Sequence, residues 1–381
     1  MIYADNAATT RLDPDAYEAM KPYFFSLYGN ASQPYSFSRK SKLALKEARR
    51  IIAKCINADP EEIYFTSGGT ESDNWAIKCF GLQNSKKIII TSPIEHHAIL
   101  NACKDSAIET KFIKVNSIGE VSEKSLNDAL KDVSKSDSSS MNCTLVSIMY
   151  ANNEIGTIQN IKKLANIAHN YGALFHTDAV QAVGHIKIDV KELNVDMLSA
   201  SAHKFNGPKG IGFLYIRKGT NISSFNSGGF QEFGLRAGTE NIPAIVGMAV
   251  ALEKNINDIE LNIKHINKVV ESFFERIKFL KSDYILNGSN NRIPGNISIS
   301  FKFKNGESIL HLLDLQGVCI STGSACDSVN DKISHVIEAI GCPDEYAKGT
   351  IRISFGKENT VEEAGLLADK LIKILSLTNK V

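Results

Sequence analysis

Two rhythms of apolar and polar positions alternate along this chain. Short, nearly unbroken apolar runs at 63–66, 88–91, 112–115, 145–150, 173–177, 197–200 and 212–216 predict buried strands. Between them, helices are predicted over 36–56, from Ser67 through Trp75 to Phe80, from His96, and over 123–132 and 160–171. In the first of these, Leu43, Ala44, Ala48, Ile51, Ile52 and Cys55 fall at core spacing. Strand and helix in alternation predict an α/β fold, a mostly parallel sheet covered on both faces. Ahead of it, a short strand in 1–10 runs into a small-residue turn, and a helix over 14–27 starts with Asp13 as cap and Pro14 in its first turn.

The rhythm changes after residue 254. A long amphipathic helix over 255–281 is followed by strand 296–301, helix 307–315, strand 318–321, helix 332–340, strand 350–355 and helix 360–377. This predicts a smaller α+β domain. The division is a large domain over 16–254 and a small one made of 1–15 plus 255–381, with Lys135-Ser-Asp-Ser-Ser-Ser140 as a surface loop.

Charge narrows the partners. The 43 basic and 42 acidic residues nearly cancel, which argues against a general nucleic-acid or membrane surface. Residues 1–15 lack the basic start and apolar stretch of a signal peptide. The apolar run 242–252 is too short to span a bilayer and holds Pro243 and Gly247. Seven cysteines, an odd number with no C-x-x-C pair, argue against a disulfide framework and for a reducing compartment, the cytoplasm.

The candidate chemistry gathers at strand ends. Lys204 follows the predicted strand 197–200 in Ser201-Ala-His-Lys204, ahead of the turn Asn206-Gly-Pro-Lys-Gly210. A solvated turn lysine is the ordinary reading; a desolvated one has a lowered pKa that suits a Schiff base. Ser67-Gly-Gly-Thr70 lies between strand and helix, where free N–H groups bind phosphate, although glycines there often serve packing alone. Asp178 in His176-Thr-Asp-Ala-Val-Gln181 is placed either to cap a helix or to pair with a protonated pyridine nitrogen. Phosphate-type loop, strand-end Asp and strand-end Lys, in that order, suggest a pyridoxal-phosphate (PLP) enzyme of the aspartate-aminotransferase fold.

Motifs along nearly the whole chain carry a more specific resemblance. They are Tyr3-Ala-Asp-Asn-Ala-Ala-Thr-Thr10, Tyr28-Gly-Asn30, Phe65-Thr-Ser-Gly-Gly-Thr-Glu-Ser72, Glu95-His96 and Asn152-Asn-Glu-Ile-Gly156. Asp178-Ala-Val-Gln181, Ser201-Ala-His-Lys204, Gly207-Pro-Lys-Gly210, Arg236-Ala-Gly-Thr-Glu-Asn241, Ser321-Thr-Gly-Ser-Ala-Cys326 and Ile351-Arg-Ile-Ser-Phe-Gly356 complete the set. In this order the sequence resembles the cysteine desulfurases of the NifS/IscS type, within the class-V aminotransferases. The spacing after Cys326 matches their long-loop subgroup. Tyr35 stands where the family usually has histidine, and Asp327 where Thr or Ser is more common.

The resemblance implies a fold-type-I PLP transferase that turns L-cysteine into L-alanine. It implies that Lys204 carries PLP as a Schiff base, Asp178 holds the pyridinium and Gln181 bonds the ring oxygen. Gly69, Thr70, Ser201 and His203 hold the phosphate, with Thr239 reaching the phosphate of the neighbouring subunit in a homodimer. His96 stacks on the ring and shuttles protons, whereas His97 reads as an ordinary helix-start residue. Asn153 lies beside the cofactor and, with Arg352, binds the substrate carboxylate. Cys326 takes the sulfur as a persulfide and passes it to an acceptor protein, an iron–sulfur scaffold or a thiolation enzyme. The remaining cysteines read as packing or strand residues. The rival readings are a selenocysteine lyase or other PLP β-lyase on this fold, and a non-catalytic sulfur-pathway scaffold.

Overall fold

Ile88–Thr91 and Thr144–Ser147 are buried at every position, and each has parallel partners on both sides. An apolar run without alternation needs helices on both faces, so these runs lie inside a sheet. The structure, a computed structural model, describes residues 1–81, 87–136, 143–323 and 333–377. Its main sheet has seven strands, ordered Ile63–Thr66, Gly212–Ile216, Met197–Ser201, Leu174–Asp178, Thr144–Ser147, Ile88–Thr91 and Glu109–Phe112. Only Gly212–Ile216 runs against its neighbours; the other pairs are parallel. A short connection from Ser201 returns the chain antiparallel, and Lys204 sits in it. The expected mostly parallel α/β architecture is what forms.

A second sheet of three antiparallel strands, Thr350–Ser354, Asn296–Phe301 and Tyr284–Asn287, is backed by the helices Ile259–Ile277 and Val361–Leu377. Ile2 and Ala4 are buried in this same core, and Ile2–Tyr3 pairs in parallel with Val318–Cys319. The N-terminal turn is thereby carried from the second sheet back to the first.

Several elements differ from the expectations. The helix expected over 14–27 is two, Pro14–Met20 and Pro22–Phe25, because Pro22 has no N–H to continue the first. The apolar run from Ile242 is the buried helix Ile242–Asn257, with Pro243 in its first turn and the Asn241 side chain accepting from Ala244 N; the amphipathic helix is Ile259–Ile277. Leu43 is 56% exposed, and Leu45 packs on the core in its place. The strand expected at 112–115 lies at Glu109–Phe112. Ser334 caps a shorter helix, His335–Ala339, where one over 332–340 was expected. The strand Tyr284–Asn287 was not foreseen. The expected loop at 135–140 falls mostly outside the described residues.

Candidate active site

The ends of Leu174–Asp178 and Met197–Ser201 lie side by side, with Asp178 opposite Ser199. They open into a cavity of about 260 Å³. Gly69, Thr70, His96, Asn153, Asp178, Gln181, Ser201, His203, Lys204 and Arg352 all line it. Ligand sites belong at such carboxyl ends of an α/β sheet.

Lys204 ends the short turn Ala202–Lys204, and its Nζ donates to the carbonyl oxygens of Ala7 at 2.8 Å and Ala8 at 2.6 Å. The turn stays in place because Thr10 N donates to His203 O and Asn206 N to the Thr10 hydroxyl. Asp178 accepts from Val180 N at 2.9 Å. Burial pushes its carboxyl upward, while that N–H and the Lys204 cation favour the charged form. Gln181 Nε2 donates to Ala7 O at 2.9 Å.

The helix Gly69–Cys79 begins at the cavity with no side-chain cap. A Cβ on Gly69 would lie 2.5 Å from Val180 Cγ2, so this close approach requires glycine. Uncapped first-turn N–H groups and the helix dipole make this end an anion site. Just outside, Glu71 accepts from Ser67 N at 2.8 Å and pairs with Arg236 Nε at 2.7 Å. His203 is held neutral: burial first, then Lys204 and Lys209, bring it down to about 4.

His96 caps the helix His97–Asp105, its Nδ1 accepting from Ala98 N at 3.1 Å. That bond leaves the neutral ring's proton on Nε2. His97 instead lies against His335, with ring centroids 4.8 Å apart. Arg352 is 2% exposed; its Nη2 pairs with Asp5 at 2.7 Å and its Nη1 donates to Asn153 O at 3.1 Å. Its Nε is buried without a hydrogen-bond partner, a donor left for a ligand.

One predicted residue is placed outside this cavity. Thr239 lines a separate one of about 180 Å³ with Ser67, Arg236 and Asn241. Cys326 and Asp327 lie outside the described residues. No described cysteine lines the main cavity. Burial pushes the Cys55 thiol up to about 12 and Cys103 to about 11, and also raises Cys79, Cys319 and Cys342. Sequence reasoning passed over Ala7, Ala8 and Asp73, which line the cavity too. Main-chain carbonyls carry no side-chain signature. Asp73, one helical turn after Thr70, had a signal in its spacing.

Comparison with known proteins agrees with this geometry. The family model for aminotransferase class-V matches residues 2–367. A protein named cysteine desulfurase IscS from Dictyoglomus turgidum is 47% identical, over 98% of this chain and 94% of its own. Another of that name, from Methanosarcina thermophila, is 43% identical over 98% of this chain and 91% of its own. A solved structure titled NifS-like protein superposes with a TM-score of 0.89 at 36% identity, covering 99% of each chain. One titled SspA in complex with cysteine gives 0.79 at 34% identity, covering 94% of this chain and 99% of that one. On the motifs, the fold and these full-length matches, the chain belongs to the class-V aminotransferase family, among its NifS/IscS-like members.

Proposed function

We propose that the protein is a PLP-dependent cysteine desulfurase. It converts L-cysteine to L-alanine and passes the sulfur, held as a persulfide on Cys326, to an acceptor protein. The observation that carries this reading is the convergence of Lys204, Asp178, His96 and Arg352 on one cavity at the end of the sheet.

The residues present fit PLP. The cavity offers an amine for the aldehyde, a buried carboxylate for the pyridine nitrogen, and an uncapped helix start with Ser201 and His203 for the phosphate. The uncapped first turn at Gly69 gives that phosphate backbone donors. When bound, PLP supplies an electron sink for charge that develops on the substrate carbon skeleton.

The chain's own groups supply the rest. Arg352, with its spare Nε, and Asn153 hold the substrate carboxylate. Lys204 takes the proton from the substrate α-carbon, and His96, which lines the cavity, serves proton movement. The Cys326 thiolate bonds to the substrate sulfur as the Cβ–S bond breaks. The electron pair stays on the carbon skeleton, where protonation gives alanine.

Support for the substrate and the sulfur chemistry comes from the relatives named cysteine desulfurase and from the neighbour whose title includes cysteine. An iron–sulfur scaffold or a thiolation enzyme is the acceptor that fits. The position of Thr239, outside its own chain's main cavity, supports a homodimer in which it serves the partner's site. Among the described residues no helix is long and apolar enough to cross a membrane. The cysteine usage fits a cytoplasmic enzyme.

The test is product analysis of the PLP-loaded protein given L-cysteine and a dithiol. Alanine and sulfide in equal amounts are expected. Pyruvate and ammonia in place of alanine would contradict the reading and establish β-elimination.

A further inference from the structure

Asp73 is on the floor of the cavity, and the reaction as described gives it no task. It lies on Gly69–Cys79 one turn beyond Thr70, is 1% exposed, and has no hydrogen-bond partner at Oδ1. That oxygen stands 3.8 Å from His176 Nε2. The contact is not an ion pair. His176 is fully buried, with Nδ1 2.9 Å from Ser147 Oγ and Nε2 2.9 Å from Ser199 Oγ, and burial lowers it to about 3. It is a neutral ring strung between two hydroxyls.

The other ionisable groups acting on Asp73 are acids. Asp178 shares the cavity lining, two positions after His176 and so on the same face of its strand. Glu95 is fully buried; its carboxylate accepts from Ser92 Oγ and Met149 N. Of the two cations lining this cavity, Arg352 is paired with Asp5, and Lys204 acts on Asp178 and is hydrogen-bonded to Ala7 and Ala8. A charged Asp73 would therefore be a desolvated anion beside a second carboxylate, with no cation of its own. Two such neighbours do not both ionise, and Asp178, with Val180 N–H and Lys204, is the better placed to hold the charge.

We propose that Asp73 is a positioning residue for the cofactor ring: a proton-bearing carboxyl behind Asp178 that keeps the cavity floor at one negative charge and confines that charge to Asp178. This rests on the reading of the cavity as a PLP site. Burial first and Asp178 second hold the Asp73 carboxyl well above the ordinary range, against the opposing effect of the Ser199 hydroxyl. The arrangement gives the ring nitrogen a single anion to face, and sets its protonation through Asp178 rather than by direct contact with Asp73.

The test uses full-length protein grown with carboxyl-¹³C aspartate. Infrared spectra of the PLP-free protein near neutral pH should show an isotope-shifted carboxylic-acid C=O band, lost in Asp73→Asn and kept in Asp178→Asn. Asparagine is a neutral isostere, so Asp73→Asn should keep PLP affinity within about threefold. Asp178→Asn should lose more than about thirtyfold. Absence of the band in the wild type overturns the proposal, and so does an affinity loss in Asp73→Asn as large as that in Asp178→Asn. Absence of the wild-type band decides against the proposal even where a variant fails to fold. A protein that shows the band but binds no PLP would refute the PLP reading and leave the protonated Asp73 standing.

Discussion

Lys204 and Ala7 are 197 positions apart in the chain, and Lys204 Nζ donates to the Ala7 carbonyl oxygen at 2.8 Å. Gln181 Nε2 donates to the same oxygen at 2.9 Å. The N-terminal turn, anchored by the pairing of Ile2–Tyr3 with Val318–Cys319, is thus a wall of the site.

If that amine holds the cofactor, borohydride reduction of the PLP-loaded protein should fix PLP on Lys204 and on no other lysine. Peptide mass mapping reads this directly. Lys204→Ala should lose both the yellow colour and the label, and a label on another lysine would overturn the assignment.

His96 does two jobs, capping a helix through Nδ1 and facing the cavity. His96→Asn keeps a cap acceptor and removes the imidazole. Turnover should fall roughly 10²–10⁴-fold, the usual contribution of a positioned proton carrier. The melting temperature and PLP content should change little. Wild-type turnover would leave His96 as a cap only.

How much of this was legible in the sequence depends on the kind of signal. Asp178, Lys204 and the Ser67-Gly-Gly-Thr70 turn stood at strand ends in a regular alternation, and the fold brings them together. The carbonyls of Ala7 and Ala8 were invisible, since any residue carries them. Leu43 had the right spacing and the wrong exposure, because periodicity marks a face without showing where the neighbouring helix ends. The split at Pro22 was readable and passed over. Asp73 was one turn from a quoted motif, but its meaning lies in Asp178 and His176 across the floor, a relation that only folding creates.

Thr239 and Lys204 line different cavities of one chain. In a homodimer with shared sites, mixing inactive Lys204→Ala and Thr239→Ala chains should restore part of the activity, because one of the two sites in a mixed dimer is intact. Size-exclusion chromatography should show the dimer. Absence of recovery, with mixed dimers present and Thr239→Ala alone inactive, would place Thr239 in its own chain's site.

Asp13 ties three elements together. It accepts from Asp15 N at 2.9 Å and pairs with Lys254 at 3.1 Å and Lys357 at 3.5 Å. Burial alone would raise its carboxyl, but these three donors outweigh it and hold the group below the ordinary value. A depressed folded-state pKa gives stability that is complete above the unfolded value of about 4 and is lost as pH falls through the folded value. Asp13→Asn keeps the helix cap and should cost roughly 1 kcal/mol near neutral pH, discounted because Lys254 is 38% exposed. Urea unfolding should show the gap between wild type and variant closing as pH drops below about 4. A gap independent of pH would remove the charge from the explanation.

Sulfur transfer to Cys326 is the central claim, and mass spectrometry after brief exposure to L-cysteine tests it most directly. The wild-type peptide containing Cys326 should gain one sulfur, removable by dithiol. The raised thiols of Cys55 and Cys103 should gain none. Cys326→Ser should bind PLP and cysteine yet form almost no alanine. Normal alanine formation by Cys326→Ser, with no added sulfur on the wild-type peptide, would contradict the account.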